Sequence, residues 1–173
     1  MQLAAADVMS AFTALVRRHE AAVRRYASKF CGSPATGDDV AQETFVELWG
    51  TRRRYRPVGK FRVFLFTIVR NRCRNQYRGR QQQTELQTDL IEGLPAPTPN
   101  QLDEVLTAER QRQVDQEIAA LSPKLREAVL LRFAEGLEYG EIASIVGCSE
   151  VTLRSRVFLG VSQIREGFKE ERR

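Results

Sequence analysis

Residues 51–80 read TRRRYRPVGKFRVFLFTIVRNRCRNQYRGR. Phe61, Phe64, Leu65, Ile68 and Val69 recur at the three- and four-residue steps of a helix that buries one face. That spacing predicts a helix from Phe61 to about Gln76. Arg70, Arg74 and Arg78 follow at steps of four and share another face, with Asn71 beside them. Pro57 and Gly59 make 51–60 the loop that feeds this helix. Outward from here the periodicity stays helical, β-branched alternation is absent, and Gly and Pro seldom interrupt a periodic run. The chain is therefore expected to be all-α.

The same stretch carries the chemistry. It holds ten arginines and Lys60 and no Asp or Glu. These residues contribute +11 to a 173-residue chain whose net charge is +5, which leaves −6 for the remainder. Such asymmetry favours an anionic polymer as partner over a merely soluble basic protein. Cations attract phosphates without reading bases. Tyr55, Phe61, Phe64, Phe66 and Tyr77 are interleaved with them, and an aromatic face can stack on a base that has left the duplex. Together they point to nucleic acid that is partly single-stranded. A solvated basic helix over an apolar stripe is the plainer alternative, but solvated faces ordinarily mix both signs.

Upstream, Val8 to Phe30 forms an amphipathic helix with Phe12, Leu15, Val23 and Tyr26 on its stripe. His19, the only histidine, falls on that stripe and reads as a packed residue. Cys31-Gly32-Ser33-Pro34 ends the helix. Thr36 is the expected N-cap of the next, with Asp39 at the capping-box position. Asp39, Glu43 and Glu47 lie at steps of four and make an acidic stripe. It is either solvated surface, a docking face for a basic protein, or a carboxylate pair for metal or acid–base chemistry. The last lacks a second cluster or a histidine to support it.

Downstream, residues 81–101 turn polar, with Pro95, Pro97 and Pro99, and every charged residue from Gln81 to Glu109 is acidic. This segment is expected to be an extended linker. It would divide a domain at 1–80 from one at 104–173, with 81–103 between them. In the second domain Ser122-Pro123 starts a helix running to Glu135, with Leu125, Ala128, Leu131 and Phe133 packed. Tyr139 to Val146, a turn at Gly147-Cys148 and a helix capped by Ser149 carry the helix-turn-helix pattern. Thr152, Arg154, Ser155, Arg156 and Phe158 remain for the outer face of the last helix, where a recognition helix meets base edges.

Several classes are disfavoured. Cys31, Cys73 and Cys148 are isolated, which argues against a disulfide framework or a zinc site and fits a reducing cytoplasm. No apolar run reaches membrane-spanning length. A nuclease or recombinase would need a convergent carboxylate set, and only Asp38, Asp39 and Glu43 gather on one turn. An ordinary helix-turn-helix regulator accounts for Ser122 to Phe168 but not for the arginine-rich element.

With these residues in view, the chain resembles the bacterial sigma factors of the extracytoplasmic-function (ECF) type. DDVAQETFVELW is similar to that family's polymerase-docking helix, and FRVFLFTIVRNRCRNQYR to its helix for the −10 element. LSPKLREAVLLRFAEGLEYGEIASIVGCSEVTLRSRV is similar to its −35-reading domain. The resemblance implies two small helical domains, no bond-making chemistry, no cofactor and no metal. It implies core RNA polymerase and promoter DNA as partners, an anti-sigma factor that is often membrane-bound, and no direct membrane insertion. By similarity Asp39, Gln42, Glu43, Phe45 and Trp49 dock the polymerase. A flipped-base pocket corresponds to Thr51, Tyr55, Ile68 and Asn71, with Arg56, Lys60, Arg74 and Arg78 along the strand. Thr152, Arg154, Ser155 and Phe158 match −35 contacts. The chain departs from the family at Phe64, where Trp is common, and at Leu159, where a basic contact is common.

Overall fold

The computed structural model describes residues 5–56, 59–84 and 102–170. All its regular elements there are helices: α1 (Ala5–Cys31), α2 (Pro34–Thr51), α3 (Phe61–Thr84), α4 (Leu102–Ala120), α5 (Pro123–Val129), a π-helical turn (Leu130–Ala134), α6 (Tyr139–Val146) and α7 (Glu150–Glu170). The expected linker lies mostly outside the described residues. α3 runs about two turns beyond the Gln76 at which the apolar spacing fades, to Thr84. Its last residues, polar and free of proline, continue the helix with no apolar spacing to mark them in sequence.

α1 and α2 form a tight hairpin. The cap of α2 is Ser33 and not Thr36: the Thr36 amide donates to the Ser33 hydroxyl at 3.3 Å, and Pro34 takes the first helical position. Proline there loses no intrahelical hydrogen bond, so the helix begins three residues earlier than the capping-box pattern indicates. Gly37 is buried where the helices cross, and a β-carbon on it would sit 2.6 Å from the Ser28 main-chain nitrogen. α3 closes this bundle with Leu65, Phe66, Val69 and Cys73 against Val23, Tyr26 and Val40.

The second unit is built on α5 and α7, with α6 against α7 and the π-turn. α7 approaches α5 closely because position 160 is glycine; a β-carbon would meet Val129 Cγ2 at 2.6 Å. Gly147 adopts φ 73°, the left-handed turn between the helix-turn-helix elements. Ser149 caps α7 by accepting from the Thr152 amide at 3.1 Å. The π-helical turn alters one expectation. A π-turn inserts a residue and rotates the side chains beyond it about the helix axis. Phe133, expected to pack, is 64% exposed, and Glu135 is instead buried.

The two units share one apolar cluster. α1 packs on α4, α5 and the π-turn, and α3 packs on α6.

Candidate nucleic-acid interface

α3 presents its arginines to two different neighbours. Arg72 faces α2: its Nη1 lies 2.5 Å from Glu43 and its Nη2 2.7 Å from Glu47. Two members of the acidic stripe thus already hold a cation, while Asp39 and Gln42 stay exposed. Arg70 and Arg74 face the second unit. Arg70 Nε donates to Glu127 at 3.0 Å, its Nη2 donates to the Val146 carbonyl at 3.3 Å, and Arg74 lies 3.8 Å from the same carboxylate. Arg78 is exposed.

The loop before α3 is anchored at Thr51, whose carbonyl accepts from the Tyr55 amide at 3.0 Å. The Tyr55 ring rests 4.8 Å from Phe64 and 6.2 Å from Phe61, half-buried on the start of α3. With phenylalanine at position 64 this packing is ring against ring. Arg56 is exposed, and Lys60 reaches Glu141 at 2.9 Å. Asn71 is exposed and accepts from Arg70 at 3.3 Å. Ile68 is only 7% exposed, a core residue beneath this surface rather than an open wall. The sequence-derived pocket residues therefore gather around the start and middle of α3, three reachable and one buried.

On α2, Phe45 is buried and Trp49 is half-buried against Phe12 at 4.8 Å, with the Arg52 guanidinium 3.7 Å above the indole. On α7, Thr152, Arg154, Ser155 and Phe158 are exposed and Arg156 is half-buried. Arg154 lies 4.2 Å over the Tyr139 ring and 3.4 Å from Glu150, which holds it on the outer face. Leu159 is exposed beside Phe158, so the outer face carries an apolar pair.

Between the units lies an open cleft of about 710 Å³, bordered by Arg18, His19, Lys60, Arg62, Glu138 and Glu141. His19 packs on Phe61 at 5.3 Å. Burial, then Arg18 and Arg62, lower its pKa and favour the neutral imidazole. Among the described residues no His, Cys, Asp or Glu group could hold a metal, and none of Cys31, Cys73 and Cys148 is in a disulfide.

Sequence reasoning missed Arg126, Glu127 and Glu135. All three are buried where the units meet. The available signal was a charged pair, Arg126-Glu127, inside an otherwise apolar run from Leu125 to Leu131.

Residues 15–83 match the model of Sigma-70 region 2, and residues 111–164 that of Sigma-70 region 4. The chain is 32% identical to the ECF RNA polymerase sigma-E factor of Salmonella typhimurium, over 86% of this chain and 81% of that protein. The chain belongs to the ECF sigma factors. It is also 34% identical to SigE of Mycolicibacterium smegmatis over 91% of its own length, and spans 62% of that longer relative. Two solved structures share the fold of this sigma factor. One is sigma factor RpoE in complex with the anti-sigma factor NepR from Bartonella quintana, with TM-score 0.75, 25% identity and coverage of 91% and 96% of the two chains. The other is CnrH in complex with the cytosolic domain of CnrY, with TM-score 0.70, 25% identity and coverage of 94% and 90%. Region 2 of the sigma factor thus takes in most of α1 and all of α2, and almost all of α3; region 4 runs from within α4 into α7.

Proposed function

We propose that this ECF sigma factor brings core RNA polymerase to promoters in the cytoplasm and itself makes or breaks no bond. α7 reads the −35 element as duplex through Thr152, Arg154, Ser155, Arg156 and Phe158. The loop from Thr51 to Lys60, with Asn71, Arg74 and Arg78 of α3, holds the −10 element as a separated strand. The exposed part of α2, at Asp39, Gln42 and Glu43 beside Trp49, docks the polymerase. An anti-sigma factor holds the protein inactive, a reading supported by the two similar folds solved with such partners.

The observation that carries this reading is the pairing of an exposed helix-turn-helix face with a separate loop-and-helix surface of cations around Tyr55. Energetics support the division of labour. Extruding a base costs a few kcal/mol, and stacking on one ring returns roughly 1–3 kcal/mol. One tyrosine offsets one flip and cannot melt a bubble alone, so opening depends on the polymerase.

The test is run-off transcription with core enzyme from a natural start site. Tyr55→Ala with Asn71→Ala should lower initiation at least tenfold without lowering polymerase binding. Undiminished initiation would overturn the strand assignment.

A further inference from the structure

Two thiols meet where the end of α1 lies on α3. Cys31 closes α1, and Cys73 sits in the middle of α3. Cys73 is fully buried, Cys31 is half-buried, and the two side chains share a hydrogen bond. Their neighbours hold the same register. The Phe30 ring, next to Cys31, stands edge-on to Tyr77, one turn after Cys73, at 6.3 Å. The Arg126 guanidinium lies over both rings, 5.7 Å from Phe30 and 5.6 Å from Tyr77, and donates to the Phe30 carbonyl at 2.6 Å. Packing asks only for small apolar side chains at these two places, whereas two thiols in contact can also share a bond. Neither cysteine belongs to the polymerase, strand or −35 surfaces described above.

We propose that Cys31 and Cys73 are a redox pair, which a hydroperoxide oxidises to a reversible disulfide inside region 2. Cytoplasmic disulfides are mostly transient and redox-sensing, so a pair that is reduced at rest fits that compartment. Cys31 takes the first step. It is the partner with solvent exposure, and Arg126 lies close enough for the two to interact electrostatically. A nearby cation favours the thiolate, the form that attacks an oxidant. The Cys31 sulfur bonds one peroxide oxygen, the O–O bond breaks, and the thiol proton leaves on the other oxygen as water. Cys31 is then a sulfenic acid. Cys73 takes the second step. Its hydrogen bond to Cys31, then burial, keep it protonated until that point. Its sulfur attacks the Cys31 sulfur, the S–S bond forms, the S–O bond breaks, and the hydroxyl leaves with the Cys73 proton as a second water. The two thiols together give up two electrons and the peroxide accepts them. A thiol reductant reverses the bond by exchange. The disulfide ties the end of α1 to α3 and closes the chain around α2, so the oxidised protein resists unfolding more than the reduced one.

The test uses the full chain, treated with hydrogen peroxide in small excess and then with N-ethylmaleimide. A peptide mass map without reductant reports which cysteines are joined. We expect the Cys31 and Cys73 peptides linked, Cys148 alkylated, and the link gone after dithiothreitol. Alkylation of all three cysteines, a link through Cys148, or sulfinic acid at Cys31 with no link would overturn the pair. Cys73→Ala removes the second step. Dimedone should then capture sulfenic acid at Cys31 roughly tenfold more than in the wild type, where the disulfide consumes it. Equal capture would overturn the order of the two steps. The urea midpoint of the oxidised wild type should lie above that of the reduced protein, and dithiothreitol should abolish the shift. A midpoint left level or lowered by oxidation would overturn the bracing of α1 on α3.

Discussion

Arg126 of α5 donates from Nη1 to the main-chain oxygen of Phe30, 2.6 Å away in the last turn of α1. That oxygen is one of the carbonyls a helix end leaves without an internal partner. The same guanidinium also donates to the carbonyls of Ile118, Ala119 and Leu121. One side chain thus ties the end of α4 and the end of α1 to α5. Its charge suits the negative end of both helices.

Arg126→Ala should lower unfolding free energy by about 2–4 kcal/mol, because several buried carbonyls lose their donor together. Arg126→Lys should recover only part, since an ammonium cannot span the same acceptors. Urea denaturation followed by circular dichroism measures both. A loss below about half a kcal/mol for alanine would refute the tie.

Gly37→Ala should destabilise the α1–α2 hairpin. The added methyl would meet the main chain of Ser28, which cannot rotate away as a side chain can. Overpacking of this kind costs roughly 1–3 kcal/mol. The control is Gly50→Ala on the same helix, where a β-carbon meets nothing within 4 Å and helix propensity predicts a gain. Equal thermal midpoints for the two variants would count against the close approach.

Tyr26 is fully buried, and its hydroxyl finds no partner among the described residues. Its ring packs edge-on to Phe66 at 5.6 Å. Tyr26→Phe keeps the ring and removes a desolvated hydroxyl. Stability should stay level or rise by up to about 1 kcal/mol. A clear loss would reveal a hydrogen bond that the packing does not display.

Glu135 gives the chain a pH signature. Burial raises its pKa above the ordinary carboxylate value, and Arg25 and Arg62 oppose the rise only in part. The folded state then binds the proton more tightly than the unfolded state. Its contribution to stability is fully present below the unfolded value, about pH 4.3 for an ordinary Glu, and falls as pH rises toward the folded one. Glu135→Gln should flatten that slope in urea midpoints taken across the acidic range. A wild-type stability that instead rose through this window, relative to Glu135→Gln, would mean that the two arginines outweigh burial.

Much of this is legible in one dimension. The helix-turn-helix shows because its signals are local: apolar residues at helical spacing, Gly147 at the turn, and Ser149 three residues before Thr152. The start of α2 does not show, because Ser33 and Thr36 are both good caps and the choice between them falls to Pro34. The exposure of Phe133 does not show either, because a π-turn rotates the periodicity that sequence reading assumes constant. The outer face of α7 is legible as exposed, since period alone separates it from Leu153 and Val157.

By itself the sequence determined the helical class, the order of the helices it marks, the charge segregation and, away from the π-turn, which side of a helix is apolar. These follow from spacing within one helix, which fixes direction around its axis. Only the tertiary structure decided which arginines of α3 stand free and which are already engaged. Arg70 and Glu127 are 57 positions apart, and Arg72 and Glu47 are 25 apart. Ion pairing depends on distance through space, and no periodicity along the chain encodes which distant carboxylate folding will bring to a given guanidinium.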